Sequence, residues 1–123
     1  MGNSKYSFTI EGSIPSKKNR HIRYRNGAIG PDASYREWED QAGWQLKGQK
    51  RPSTPLLKTV EISITIYPKT RRKADLDNKS TSILDLLVKM EILNDDSWFV
   101  VGRLVLELGG VDKQNPRCEI EIW

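Results

Sequence analysis

Long apolar runs are missing from this chain. No stretch approaches the roughly 20 consecutive apolar residues of a membrane span, so no membrane partner is expected. The first residues, Met1-Gly2-Asn3-Ser4-Lys5, lack the apolar core of a secretory signal. With one cysteine, Cys118, there is no internal disulfide to form, and both features fit a reducing cytoplasm. Hydrophobic residues are scarce too: 37% of 123 positions, or about 44% with glycine, against roughly 45–50% in an ordinary globular chain. A modest core remains possible, with four Trp as large anchors, and the length suits one domain spanning residues 1–123.

Charge is present in quantity and is unevenly placed. Residues 1–73 carry 15 Lys and Arg against 6 Asp and Glu, whereas residues 74–123 carry 5 against 10. The first part suits a polyanion and the second gathers the acids. A basic run can be merely a solvated face, but here the sign changes at an Asp-x-Asp.

Tyr6 to Glu11 alternates apolar and polar residues as a half-buried strand does, and Gly12 and Pro15 end it. The stretch from Ile14 to Arg25 holds Lys17, Lys18, Arg20, Arg23 and Arg25, cations able to grip phosphates, beside Tyr24, able to stack on a base. Asn26-Gly27 is a turn signal, so a hairpin or basic loop is expected. Asp32 or Ser34 can cap a helix reaching about Gly48, with Tyr35, Trp38, Ala42 and Leu46 as its buried stripe. Val60 to Tyr67 is the clearest strand, with Val60, Ile62, Ile64 and Ile66 on one face. A second helix is predicted from near Asn78 to about Met90, with Ile83, Leu84, Leu86, Leu87 and Met90 in one arc. Trp98 to Leu108 and Cys118 to Ile122 read as strands, with Gly109-Gly110 turning the chain between them. The order predicts an α+β domain with a mixed β-sheet and two main helices.

The stretch Arg71-Arg72-Lys73-Ala74-Asp75-Leu76-Asp77-Asn78 leads a basic run into paired carboxylates, and Asn94-Asp95-Asp96 follows the second helix. Clustered carboxylates repel one another, and a divalent cation relieves that repulsion. Such an ion can polarise a phosphoryl oxygen, activate water and stabilise a leaving oxygen. Asp75, Asp77 and Asp96 can supply three ligands if the chain brings Asp96 back to the helix start. A helix of about 12 residues spans roughly 18 Å, so the following segment must cover that distance. The plainer reading makes Asp77 a helix cap and Asp95-Asp96 a turn before a strand.

Taken together, Arg-Arg-Lys-Ala-Asp75-Leu76-Asp77-Asn78, the apolar helix and Leu93-Asn94-Asp95-Asp96 before a strand resemble the RusA family of Holliday-junction resolvases. The N-terminal strand followed by Ile14-Pro15-Ser16, Asn19 and Arg20 is similar to the start of that family, so the resemblance covers nearly the whole chain. It implies a homodimeric endodeoxyribonuclease using Mg2+, with Mn2+ as an alternative, that nicks two strands of a four-way DNA junction symmetrically in recombination and repair. It extends to members encoded by phages and prophages. The implied catalytic and metal-binding residues are Asp75, Asp77 and Asp96, with Asp95 beside them; Lys79 and Lys73 are candidate supports by their nearness in sequence. By their charge, Lys17, Lys18, Arg20, Arg23, Arg25, Arg71, Arg72 and Lys73 are the expected DNA contacts. One position departs from the pattern: the family's catalytic lysine, six residues after the first aspartate, is replaced by Thr81. Lys79 is the nearest lysine.

Independently of the resemblance, a four-way junction has approximate two-fold symmetry, and a two-fold dimer presents equal sites to opposing strands. Two other readings stay open: a module that binds branched DNA without turnover, and a small basic RNA-binding or ribosome-associated protein whose acids are caps.

Overall fold

A computed structural model describes residues 5–15, 21–23, 29–31, 33–71 and 76–123; the side chains of 21–23, 29–31 and 76–78 lie outside that description. The elements are β1 (Tyr6–Glu11), β2 (His21–Arg23), β3 (Ile29–Pro31), α1 (Ala33–Lys47), β4 (Val60–Tyr67), α2 (Leu76–Lys89), β5 (Val101–Leu108) and β6 (Arg117–Ile122).

The four-stranded sheet has the order β1-β6-β4-β5. β6 is antiparallel to both β1 and β4, whereas β4 and β5 are parallel and joined through α2. The result is the expected mixed sheet of an α+β domain. Its alternation places one row of side chains on a common face: Phe8 pairs with Ile120, Ile120 with Ile64, and Ile64 with Leu106. Val60, Ile62, Ile64 and Ile66 are at most 7% exposed, and Ile83, Leu86 and Leu87 of α2 are fully buried in the same core. Burying each such side chain contributes about 1.5–3 kcal/mol, so this face drives the fold. Gly43 lets α1 approach α2: a Cβ there would stand 3.1 Å from the Met90 sulfur.

The opposite face of the sheet carries Ser7, Thr9, Ser63, Thr65, Glu119 and Glu121. Arg117 sits 4.0 Å from the Tyr67 ring centre and pairs with Asp112 at 2.9 Å and Glu119 at 3.1 Å, which occupies its charge.

β2 and β3 form an antiparallel hairpin with Ile22 opposite Gly30, as the Asn26-Gly27 signal leads one to expect. Residues 24–28, which include that turn and Tyr24, lie outside the described residues, as does the Asp32 cap candidate. Along α1, Tyr35, Ala42 and Leu46 are buried and Trp38 packs against the core.

Two predicted boundaries are corrected. α2 begins at Leu76 rather than near Asn78, so Asp77 lies in its first turn instead of ahead of it. β5 begins at Val101 rather than Trp98, because the N–H groups of Val100 and Val101 both donate to Ser97 O, at 3.0 and 2.8 Å. That turn leaves Trp98 and Phe99 exposed. Leu104, Leu106 and Leu108 do share a face, but β5 is a sheet edge and none of them is fully covered: Leu108 is 63% exposed.

Candidate active site

Chain direction decides which candidate residues can meet. β1 and β4 are both antiparallel to β6, so both run the same way and end on one side of the sheet. From the end of β1, Ile14 and Pro15 pass onto α2: Lys79 Nζ donates to Ile14 O at 2.5 Å, and Ser82 Oγ donates to Pro15 O at 2.7 Å. Ile14 and Pro15, which precede the basic stretch in sequence, therefore lie against the first turns of α2. Arg71 follows the end of β4 on the same side. Arg71 is exposed. Lys17, Lys18, Arg20, Arg25, Arg72, Lys73 and Asp75 lie outside the described residues, and Arg23 and Asp77 are described only through their backbones in β2 and α2.

Asp95 and Asp96 are held elsewhere. After α2, Ile92 O accepts from Leu56 N–H at 2.9 Å and Asn94 N–H donates to Leu56 O at 3.0 Å. Val60 N–H donates to Val100 O at 2.7 Å. The segment carrying the acidic pair is thus tied to the N-terminal side of β4. α2 spans 14 residues, about 21 Å, and its first turn lies at the other end. Within one chain, Asp77 and Asp96 stand at opposite ends of the same helix. Among the described residues, no three His, Cys, Asp or Glu side chains come together.

Asp95 and Asp96 are both exposed but differ in their surroundings. The Ser97 hydroxyl, followed by the Asp96 backbone N–H at 2.9 Å, holds the Asp95 carboxyl below the usual carboxylate range. Asp95 therefore organises the turn, as the plainer sequence reading has it. The described acids fit a hard cation by chemistry, since carboxylate oxygens are the donors that magnesium prefers.

The polar face of the sheet is a poor place for a polyanion, because Glu61, Glu107, Glu119 and Glu121 outnumber Arg103 and Arg117 there, and Arg117 is already paired.

The family model described as Endodeoxyribonuclease RusA matches residues 11–123. The chain belongs to the RusA endodeoxyribonuclease family. It is 30% identical over 81 residues to the "Crossover junction endodeoxyribonuclease RusA" of Aquifex aeolicus (strain VF5). That alignment covers 66% of this chain and 64% of the relative, so it spans less than two thirds of that protein's length. Neither match bears on a phage origin. No helix among the described residues is long and apolar enough to cross a membrane.

Several contacts at the site lack a local sequence signal. Ser80 and Ser82 are buried on α2, and the Ser82 hydroxyl donates to Pro15, 67 positions earlier. The engagement of Lys79 by Ile14 is equally long-range.

Proposed function

We propose that this RusA-family chain is a magnesium-dependent, structure-specific endodeoxyribonuclease that resolves four-way DNA junctions by paired symmetric nicks. Its proposed working form is a homodimer. The observation that carries this reading is the family match over residues 11–123, joined to the contact of Pro15, just before the first basic stretch in sequence, with α2. The Lys17–Arg25 and Arg71–Lys73 cations hold phosphates, Arg by paired N–H donors and Lys as a point charge. Asp75, Asp77 and Asp96 supply carboxylate oxygens to the metal, Asp77 and Asp96 coming from different chains of the homodimer because α2 holds them apart within one, while Asp95 fixes the backbone from which Asp96 projects. A bound magnesium ion supplies charge stabilisation at the phosphoryl group and lowers the pKa of water. Arg72 and Lys73, next to Asp75 in sequence, place positive charge near the reacting phosphate.

The test is to measure junction binding and cleavage together for Asp77→Asn and Asp96→Asn. Cleavage is expected to vanish while binding persists or tightens, since less negative charge then faces the DNA. Wild-type turnover by either variant removes that residue from the ligand set.

One observation favours a second reading, a branched-DNA-binding module without turnover. Thr81 occupies the position of the family's lysine, and the nearest lysine, Lys79, is engaged by Ile14 O. Tight junction binding with no cleavage in magnesium or manganese would select it.

A further inference from the structure

The end of α1 and the connector that follows it are rich in cations and carry no acid. Residues 41–60 hold Lys47, Lys50, Arg51 and Lys58 without one Asp or Glu, and all four cations are exposed. The connector is also firmly held. At its start, Thr9 N–H donates to Gln49 Oε1 at 2.9 Å and Gln49 Nε2 donates to Thr9 O at 2.7 Å. Further on, both backbone groups of Leu56 are bonded, its N–H to Ile92 O and its carbonyl to Asn94 N–H. At its end, Thr59 Oγ1 donates to Phe99 O at 2.8 Å. Cations on a fixed backbone lose less freedom on meeting a ligand than cations on a loose loop.

Two of those ties bracket Lys58 and the acidic turn together. Leu56 is bonded to Asn94 and Thr59 to Phe99. Between these ties, Leu57 and Lys58 fill the interval on one side, and Asp95, Asp96, Ser97 and Trp98 fill it on the other. Three residue steps span at most about 11 Å, so Lys58 stays beside the turn that carries Asp96. No acid among the described residues lies within ion-pair distance of Lys58. Lys58 also lines a groove of about 460 Å³, together with Lys5, Tyr6, Pro52, Leu57 and Trp123. No Asp or Glu lines that groove, and Lys5, just before β1, brings it a second ammonium group. Lys50 and Arg51 directly precede its lining residue Pro52.

A concave surface lined by charge of one sign focuses its potential and draws in the opposite charge. The charge at hand is that of the DNA backbone. Each strand of a duplex carries one phosphate per about 3.4 Å of helix axis. Phosphates next to one held at Asp96 therefore fall within the same 11 Å that contains Lys58. We propose that this groove and its connector are a further DNA-contacting surface. Lys58 and Lys5 hold backbone phosphates of the strand that runs on from the Asp96 turn, and Lys50 and Arg51 extend the grip along the same junction arm. The choice of DNA rests on the endonuclease reading above; the placement of Lys58 beside Asp96 does not.

Two measurements on the full chain test it, and both must succeed. In the first, exposed lysines are acetylated without divalent ions, with and without a saturating synthetic four-way junction, and read by mass spectrometry. Lys5, Lys50 and Lys58 are expected to react at least about fivefold more slowly in the complex. In the second, junction binding is titrated against salt for a variant carrying Lys5→Gln and Lys58→Gln. Its log–log slope should fall by about 0.9 for each lysine, which is about eightfold in affinity per lysine at 0.1 M salt when affinities at 1 M are equal. Adding Lys50→Gln and Arg51→Gln should lower the slope further. If Lys58 only neutralises the acidic turn, Lys58→Gln lowers the unfolding midpoint and leaves the slope in place, and the proposal falls. Lysines that stay reactive in the complex overturn it as well. A chain that binds through these lysines but does not cut in magnesium keeps the surface and loses the endonuclease reading. A chain that cuts while its slope and lysine reactivity stay unchanged keeps that reading and loses the surface. A chain that binds no junction loses both.

Discussion

Lys79 Nζ donates to the carbonyl oxygen of Ile14, 65 positions earlier, and so ties the end of the first strand to the first turns of α2. The lysine nearest the family's catalytic position thereby has a structural partner. Two positions along a helix rotate a side chain by about 200°, which turns Lys79 away from the direction in which Thr81 projects. Lys79→Ala is expected to slow saturating single-turnover junction cleavage by less than about tenfold, or 1.4 kcal/mol of barrier. Thr81→Lys should retain or raise that rate. A hundredfold loss for Lys79→Ala, with metal and DNA affinity intact, would instead give Lys79 the catalytic role.

Ser82 makes the companion contact to Pro15 and is fully buried. Ser82→Ala leaves Pro15 O without this donor and is expected to cost about 1–3 kcal/mol of stability in denaturant titration. An unchanged unfolding midpoint would mean that water replaces the hydroxyl.

Cys118 lies in the core, where burial pushes its thiol up to about 12 from an ordinary 9.0. A disulfide reagent at pH 8 should leave it unmodified in the folded protein and label it after denaturation. The unfolded thiol ionises from about pH 9 while the folded one stays neutral. This group's contribution therefore favours folding below pH 9 and is lost as pH rises toward 12. Rapid labelling under native conditions would show that the β6 core opens.

Much of the fold was legible because alternation and burial agree. The ends of β1 and β4 match the sequence pattern, as does the hairpin expected around Asn26-Gly27. Trp98 to Val100 misled because their β-forming side chains say nothing of the Ser97 carbonyl that closes a turn there. Gln45 and Gln49 look like ordinary polar residues until the backbone of β1 is seen to meet them. The separation of Asp77 from Asp96 follows from a parallel crossover, a property of strand order that neither motif carries.

Neutralising Lys17, Lys18, Arg20 and Arg23 together should weaken DNA binding and flatten its salt dependence. The log–log slope should fall by about 0.9 for each duplex phosphate that no longer meets a cation. Unchanged affinity and slope would assign this stretch to solvent.

The most direct test of the central claim offers the wild-type chain a synthetic four-way junction, a linear duplex and RNA, with and without magnesium, and maps the nicks on labelled strands. The account predicts symmetric nicks in opposing strands of the junction, dependent on magnesium, with the duplex and RNA left whole. Cleavage without a divalent ion, or cleavage of linear duplex or RNA as readily as the junction, would contradict it.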